Sequence, residues 1–218
     1  MKIFQEKLIN IHEKTAEILI KIGSVNFNIK KKFKLTSGKL SPVYCDCRRI
    51  ISFPKERKVL INYASELLKR KKYFKKITNI AGGETAGIPF ASFLSSKLNL
   101  PMTYIRKEKK KFGKKERIEG IMTKQDFVVL AEDLITDGGS KFDFLDSIRK
   151  KGAVTKAIFV IFNYGIYNES ITFGKEKIDL LYLTNWKSIL KVAKKENILT
   201  EKDISIIFSF LKEIGVKN

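Results

Sequence analysis

The sequence predicts an α/β fold, an open and mainly parallel sheet flanked by helices, with residues 1–218 forming a single domain. One reason is that short apolar runs alternate with longer segments whose apolar residues recur at helical spacing, which is typical of successive βαβ units. A second reason is that two of these runs lead into glycine turns, at residues 82–87 and 138–139. Open parallel sheets bind ligands at the carboxyl ends of their strands, so both turns are candidates for one site.

The individual elements follow from hydrophobic period and from turn and cap signals. Residues 33–48 alternate in polarity and contain two turn signals, which predicts a hairpin or strand pair. Pro54 favours a helix start, Gly152 a helix end, and Thr200 the N-cap of the last helix. Helices are predicted at residues 5–22, 52–72, 185–196 and 201–214 and along the apolar faces 88–98 and 142–148, and strands at residues 77–81, 102–105, 127–130, 157–162 and 178–183.

The composition argues against a membrane, an exported, a zinc-binding or a nucleic-acid-binding protein. The chain is 44% apolar, enough for a sizeable core, and no apolar run approaches the roughly 18–20 residues of a membrane-spanning helix. No export signal is expected at the N-terminus, and the two cysteines, Cys45 and Cys47, cannot complete a zinc site with one histidine. We expect reduced thiols and a cytoplasmic protein without membrane contact. The net charge of +21 comes from basic residues spread along the chain, so a solvated surface is favoured over nucleic-acid binding.

The stretch at residues 128–140 has the features of an anion site. Its apolar start predicts a buried strand, and the glycines that follow open a helix whose first backbone N–H groups are free to bind a phosphate. Asp137 and Ser140 are candidates to cap that helix. Glu132 and Asp133 would repel a phosphate directly, so they fit neutral hydroxyls, or a cation that the phosphate also holds. A diol beside a phosphate describes ribose 5-phosphate, and neither a Walker loop nor a dinucleotide fingerprint is present.

This stretch resembles the phosphoribosyl pyrophosphate (PRPP) motif of type I phosphoribosyltransferases, in which two acids precede two apolar residues, a threonine and small residues. The turn at residues 82–89 resembles the pyrophosphate loop of these enzymes. Two further patterns resemble orotate phosphoribosyltransferases in particular. The hood pattern L-x-S-G-x-x-S-P-x-Y is matched by Leu35, Ser37, Gly38, Ser41, Pro42 and Tyr44, and the lid pattern R-K-x-x-K-x-x-G by Arg106, Lys107, Lys110 and Gly113.

The resemblance implies transfer of ribose 5-phosphate from PRPP to orotate in pyrimidine biosynthesis, with Mg²⁺ held mainly through PRPP and water. It implies a core at about residues 55–185, a hood from about 1–50 with part of the C-terminal tail, and a lid at 106–120. It also implies a homodimer in which each lid reaches the other subunit's site. Lys110, Glu132 and Asp133 are the implied catalytic residues. The implied substrate-binding residues are Arg106, Lys107, Lys110, Glu132, Asp133, Leu134, Ile135, Thr136, Asp137, Gly138, Gly139, Ser140, Tyr44, Thr85 and Ala86.

Three departures from the family pattern leave alternatives open. Ala86 and Phe112 stand where some members have lysine and histidine, and residues 162–165 contain no arginine to meet the carboxylate of orotate. A phosphoribosyltransferase for another base is therefore one alternative. A PRPP-sensing regulator that binds nucleic acid is the other, which the net charge supports and a complete lid opposes. His12 lies beside the apolar face of the first helix and is expected to be a packed residue.

Overall fold

The computed structural model describes residues 2–35, 38–108 and 116–217. The helices are α1 (Lys2–Lys21), α2 (Pro54–Lys69), α3 (Gly87–Leu98), α4 (Gly139–Lys150), α5 (Trp186–Lys195) and α6 (Glu201–Glu213). The strands are β1 (Val25–Phe27), β2 (Phe33–Lys34), β3 (Leu40–Ser41), β4 (Val43–Cys45), β5 (Asn79–Gly83), β6 (Met102–Ile105), β7 (Ile118–Glu119), β8 (Phe127–Ile135), β9 (Val154–Asn163), β10 (Ser170–Phe173) and β11 (Glu176–Asn185).

The main sheet has seven strands within the described residues, in the order β10-β11-β9-β8-β5-β6-β7. The five central strands are parallel, and the two edge strands β10 and β7 are antiparallel to their neighbours. The chain passes from β5 to β6 on one side and then returns to β8 on the other side. The strand order therefore reverses between β5 and β8, and that position is where open α/β sheets bind ligands. The predicted α/β fold class is confirmed.

The core consists of two apolar clusters, one on each face of the sheet. The larger cluster includes Phe159 and Trp186 and contains side chains from α1, α2, α3 and α5. The smaller cluster includes Phe144 and Ile148 of α4. Residues 128–133 of β8 are buried without alternation, as expected for a central parallel strand covered on both sides. This burial places any polar side chain of β8 in surroundings with little water.

The N-terminal strands form a small separate layer. β2 pairs with β3 as the predicted hairpin, and β4 pairs with β1, which the sequence analysis did not identify. A 3₁₀ helix, Cys47–Ser52, follows β4, so α2 begins at Pro54 rather than at residue 52. Cys45 and Cys47 are buried free thiols whose sulfur atoms lie 3.6 Å apart.

Two predictions about single elements have clear outcomes. Thr200 caps α6 in a capping box with Asp203, as its position predicts. His12 is a packed residue: its Nδ1 lies 2.8 Å from the carbonyl oxygen of Leu183, its ring stacks on Tyr182, and burial lowers its pKa. None of the helices in the described part of the chain has the length and apolar character needed to cross a membrane.

Candidate active site

A cavity of about 880 Å³ lies at the carboxyl end of β8 and is bordered by the N-terminal layer and the C-terminal tail. Its walls combine carboxylates, cations and aromatic side chains, which suits a ligand with both charged and planar parts. The lining residues are Lys34, Leu35, Lys39, Tyr44, Cys45, Asp46, Arg48, Asp133, Leu134, Thr136, Asp137, Tyr164, Ile166, Glu213, Ile214 and Gly215.

The two adjacent acids of β8 have different surroundings. The strand was predicted to end at residue 130, but β8 pairs with β9 as far as Ile135, so both acids lie inside it. Successive side chains of a strand point to opposite faces of the sheet. Asp133 accordingly lines the cavity, whereas Glu132 contacts α4 and the turn after β5. Leu134 borders the cavity and Ile135 is fully buried.

The carboxylate of Glu132 lies between the ammonium group of Lys141 and the backbone of two glycines. Its Oε2 lies 3.1 Å from Nζ of Lys141, a residue that the sequence analysis missed. Its Oε1 occupies the space where a side chain of Gly83 or Gly87 would be: a Cβ atom added at these residues would lie 1.9 and 2.5 Å from that oxygen. Burial raises the pKa of Glu132 to about 7, and the charge of Lys141 opposes this rise.

Asp133 is the acid that faces the ligand space. Burial raises its pKa, while the positive charges of Lys141 and Arg48 act in the opposite direction. Arg48 lines the same cavity, and its Nε donates to Oδ1 of Asp46 at 2.6 Å. The sequence analysis did not single out Arg48, although its place directly after the hood pattern was a usable signal.

The turn between β8 and α4, predicted to bind a phosphate, places a left-handed glycine directly before a helix start. Gly138 is the N-cap with a φ of 85°, a left-handed conformation that favours glycine, and α4 begins at Gly139. Neither Asp137 nor Ser140 caps this helix through its side chain in the sense predicted. Ser140 is already helical, and Oδ1 of Asp137 accepts from the Gly139 N–H at 3.3 Å. Tyr167, also missed, donates from its hydroxyl to the carbonyl oxygen of Asp137 at 2.6 Å and so supports the turn.

The turn after β5 lies beside the acids and is connected to the start of the lid. Gly82 and Gly83 end β5, Thr85 is exposed and Ala86 is half-buried, and neither Thr85 nor Ala86 lines the cavity. Oε2 of Glu84 accepts a hydrogen bond of 2.8 Å from the backbone N–H of Lys107. This connection between the two loops was not predicted from the sequence.

The described ends of the lid pair with each other, while Lys110 and Gly113 lie outside the described residues. The backbone N–H of Arg106 donates to the carbonyl oxygen of Arg117 at 2.8 Å. The guanidinium of Arg117 donates to the carbonyl oxygens of Arg106 and Lys107 at 2.9 and 2.8 Å. The side chain of Arg106 lies 3.7 Å from Glu119, and that of Lys107 is exposed.

Aromatic side chains also border the cavity. Tyr44 and Tyr164 both line it, and Tyr44 packs against Phe33 with 5.7 Å between ring centroids. Asn163, which stands where the sequence analysis looked for an arginine, is buried. It donates to the carbonyl oxygen of Tyr167 at 2.8 Å and accepts from the Gly165 N–H at 2.9 Å, so its role is to hold this loop.

Comparison with known proteins agrees with this geometry. The family model described as Phosphoribosyl transferase domain matches residues 50–182. An orotate phosphoribosyltransferase of Ruegeria sp. (strain TM1040) is 43% identical over 200 residues, covering 91% of this chain and 88% of that protein. One from Roseobacter denitrificans (strain ATCC 33942 / OCh 114) is 44% identical over 198 residues, covering 90% and 88%. The crystal structure of the Aeropyrum pernix orotate phosphoribosyltransferase matches with a TM-score of 0.67 at 25% identity, covering 85% and 99%. The chain therefore belongs to the orotate phosphoribosyltransferase family.

Proposed function

We propose that this protein transfers ribose 5-phosphate from PRPP to N1 of orotate, forming orotidine 5′-monophosphate and pyrophosphate in the cytoplasmic synthesis of pyrimidine nucleotides. The observation that carries the proposal is a single cavity lined by Asp133, by Thr136 and Asp137 of the turn that leads into α4, and by Tyr44 and Tyr164. These groups match the hydroxyls, the phosphate and the planar base of the two substrates.

The glycine turn and Asp133 fix the sugar. Backbone N–H groups at the start of α4, at Gly139 and Ser140, bind the 5-phosphate with the help of the helix dipole, and the Gly139 N–H exchanges Asp137 for the phosphate. Asp133 accepts hydrogen bonds from the ribose hydroxyls. The anomeric carbon becomes positively charged as pyrophosphate departs, so the carboxylates of Asp133 and Glu132 favour the transition state electrostatically. Burial of both acids strengthens this effect because little water screens their charge.

The base is bound beside the two tyrosines of the cavity. Tyr44 and Tyr164 offer apolar ring surface to the pyrimidine, and Arg48 is the cation whose position fits the carboxylate of orotate. Asp46 holds Arg48 through Nε, so the terminal guanidinium nitrogens keep their donors for a bidentate contact. Orotate N1 is nucleophilic once deprotonated, so these residues bind and orient the base and no side-chain nucleophile is required.

Mg²⁺ is the cofactor in this proposal and arrives with the substrate. No cluster of three or more carboxylate, histidine or cysteine side chains suited to a metal occurs among residues 2–35, 38–108 and 116–217. In this proposal the ion is held mainly by the PRPP diphosphate and water, which is the usual manner of Mg²⁺ binding. When bound, the ion neutralises charge on the departing pyrophosphate.

The lid completes the proposal. Arg106, Lys107 and Lys110 supply positive charge to the pyrophosphate and exclude water from the reacting carbon. Thr85 and Ala86 present the turn after β5 to the same diphosphate. We propose that the lid of each subunit of a homodimer closes over the site of the other.

The test mixes purified protein, PRPP, Mg²⁺ and orotate and follows the ultraviolet absorbance of orotate. We expect a loss of absorbance that requires PRPP and is abolished by adding a chelator. The variant Asp133→Asn should lose most of this activity, whereas Asp143→Asn, an exposed acid on α4, should retain it. If orotate is not consumed, a panel of purine and pyrimidine bases tests the enzyme class. If no base reacts while PRPP still binds, salt-dependent binding of nucleic acid tests a regulator.

A further inference from the structure

Lys141 is the third residue of α4 and its position is unusual for a cation. The first turn of a helix has a positive electrostatic potential, so a lysine there is disfavoured unless another group compensates. Its side chain is only 13% exposed, and Nζ lies 3.1 Å from Oε2 of Glu132, which is 5% exposed. Nζ also lies 3.4 Å from Oγ of Ser140 in the phosphate turn. Lys141 thus contacts both Glu132 of β8 and Ser140 at the start of α4.

Glu132 can occupy its position only because the neighbouring residues are small. Its Oε1 lies over the backbone of Gly83 and Gly87, where a Cβ atom would clash, and a Cβ atom at Gly83 would also lie 2.3 Å from Phe144. A carboxylate confined in this way has no room to turn towards water. Its charge therefore depends on the charged groups that surround it.

We propose that Lys141 is a positioning residue, which holds Glu132 as a carboxylate between the phosphate turn and the turn after β5 and so maintains negative charge behind the ribose. The inference rests on the proposed transfer reaction, because that reaction gives the charge its purpose. It assigns a role to a lysine that does not line the cavity itself.

The other charged groups around Glu132 do not replace Lys141. Asp133, next to it on β8, is also acidic and raises the pKa of Glu132. The turn after β5 contributes one acid, Glu84, whose carboxylate accepts a hydrogen bond from the backbone N–H of Lys107. The neighbouring residues of β9, Phe159 and Val160, are apolar. Among the described residues that act on Glu132, Lys141 supplies the positive charge.

The experiment compares Lys141→Met, Lys141→Arg, Glu132→Gln and the double variant Lys141→Met/Glu132→Gln, with Lys150→Met as the control on the exposed side of α4. The acid limb of kcat/KM for PRPP should move up by about one pH unit in Lys141→Met, giving about a fivefold loss at pH 7 that recovers at pH 9. Lys141→Arg should restore the wild-type profile. The double variant should be no worse than Glu132→Gln alone, because Lys141 acts through Glu132.

Three results would overturn the proposal: an equal loss at every pH in Lys141→Met, losses that add in the double variant, or a wild-type profile in Lys141→Met. Lys141→Gln replaces the methionine variant if thermal unfolding shows that the latter does not fold. If wild-type protein does not consume orotate, the proposed function fails. The same variants are then compared by calorimetric binding of PRPP at pH 6 and 9, which decides the role of Lys141 separately.

Discussion

Asp133 and Glu132 are neighbours in the chain but differ in access to the cavity, in contacts and in charge environment. Asp133 reaches the cavity and is influenced by Arg48, whereas Glu132 is packed against glycine backbone and paired with Lys141. The alternation of side chains along a strand causes this difference. At the residue scale, we therefore propose that the two acids contribute differently: Asp133 by contact with the sugar, Glu132 by charge at a distance.

The raised pKa of Glu132 predicts a specific pH dependence of stability. Its pKa is about 7 in the folded protein and near 4.5 in the unfolded chain, so the folded state binds the proton more tightly between these values. The contribution of Glu132 to the free energy of unfolding therefore falls as pH rises from about 4.5 to about 7, by roughly 3 kcal/mol at most.

Urea unfolding of wild-type protein and Glu132→Gln from pH 4.5 to 8 measures this contribution. The stability of the variant relative to wild type should increase with pH across that window. Asp143→Asn, an exposed acid on α4, should show no such trend. A difference between wild type and Glu132→Gln that does not change with pH would contradict the assignment.

Arg48 is expected to determine the preference for a base that carries a carboxylate. Arg48→Gln should raise KM for orotate by about 10- to 100-fold, the size of one hydrogen-bonded charge contact, and leave KM for PRPP nearly unchanged. Steady-state kinetics with each substrate varied in turn measures this. Lys34→Gln and Lys39→Gln remove the two lysines of the same cavity. A larger orotate effect in either lysine variant would move the assignment away from Arg48.

At the scale of elements, Glu132 lies between the turn after β5 and the start of α4. Its carboxylate packs against the backbone of Gly83 and Gly87 on one side and pairs with Lys141 on the other. The sequence analysis correctly predicted both glycine turns and their position at strand ends. It did not predict that Glu132 fills the space above Gly83, because periodicity does not report which side chain of a neighbouring strand approaches a turn. Tyr167 and Lys141 were not predicted for the same reason. Tyr167 binds the carbonyl oxygen of Asp137 and Lys141 pairs with Glu132, and neither contact can be inferred from the local sequence pattern.

Gly83→Ala should destabilise the protein. The added Cβ would lie 1.9 Å from Oε1 of Glu132 and 2.3 Å from Phe144, so the turn or the acid must shift, at a cost of about 1–3 kcal/mol. Chemical denaturation measures the loss. Gly139→Ala is the matched control, since the nearest atom to its Cβ would be 3.9 Å away and its φ is not positive. Equal stability of both variants would show that the contact is not tight.

Lys110 belongs to the predicted lid, residues 106–120. We expect Lys110→Ala to lower kcat by orders of magnitude while PRPP binding survives, because its charge is needed when pyrophosphate departs. Lys97→Ala, a lysine near the end of α3 outside the site, is the control. Unchanged turnover in Lys110→Ala would remove this residue from the mechanism.

At the scale of the whole molecule, the sheet brings the site together from segments far apart in the sequence. The α/β class was predicted correctly, and the two apolar clusters arise from apolar patterns that the sequence displays. The order of the strands was not predicted. The pairing of β1 with β4 and the edge strands β7 and β10 were not predicted. β1, β4, β7 and β10 are only two to four residues long, too short to show a period in the sequence. β1 and β4 are separated in the chain by the β2–β3 hairpin, whereas β10 pairs with β11, which follows it directly.

A shared lid predicts complementation between inactive variants. Mixing Lys110→Ala and Asp133→Asn subunits in equal amounts gives half mixed dimers, each with one intact site, so about a quarter of wild-type activity should return. Light scattering of wild-type protein first establishes the dimer. Each variant alone, mixed with wild type, is the control. No recovery after verified subunit exchange would mean that each lid serves its own subunit.

The hydrogen bond from Lys107 to Glu84 has a consequence for the reaction cycle. It links Lys107, at the start of the predicted lid, to the loop proposed to hold the departing group, so we expect the two segments to move together. A disturbance at Glu84, such as Glu84→Gln, should then alter how quickly pyrophosphate leaves after the bond to the sugar has broken. In rapid-mixing experiments the rate of the first turnover should be the same in Glu84→Gln as in wild-type protein, whereas the rate of later turnovers should differ.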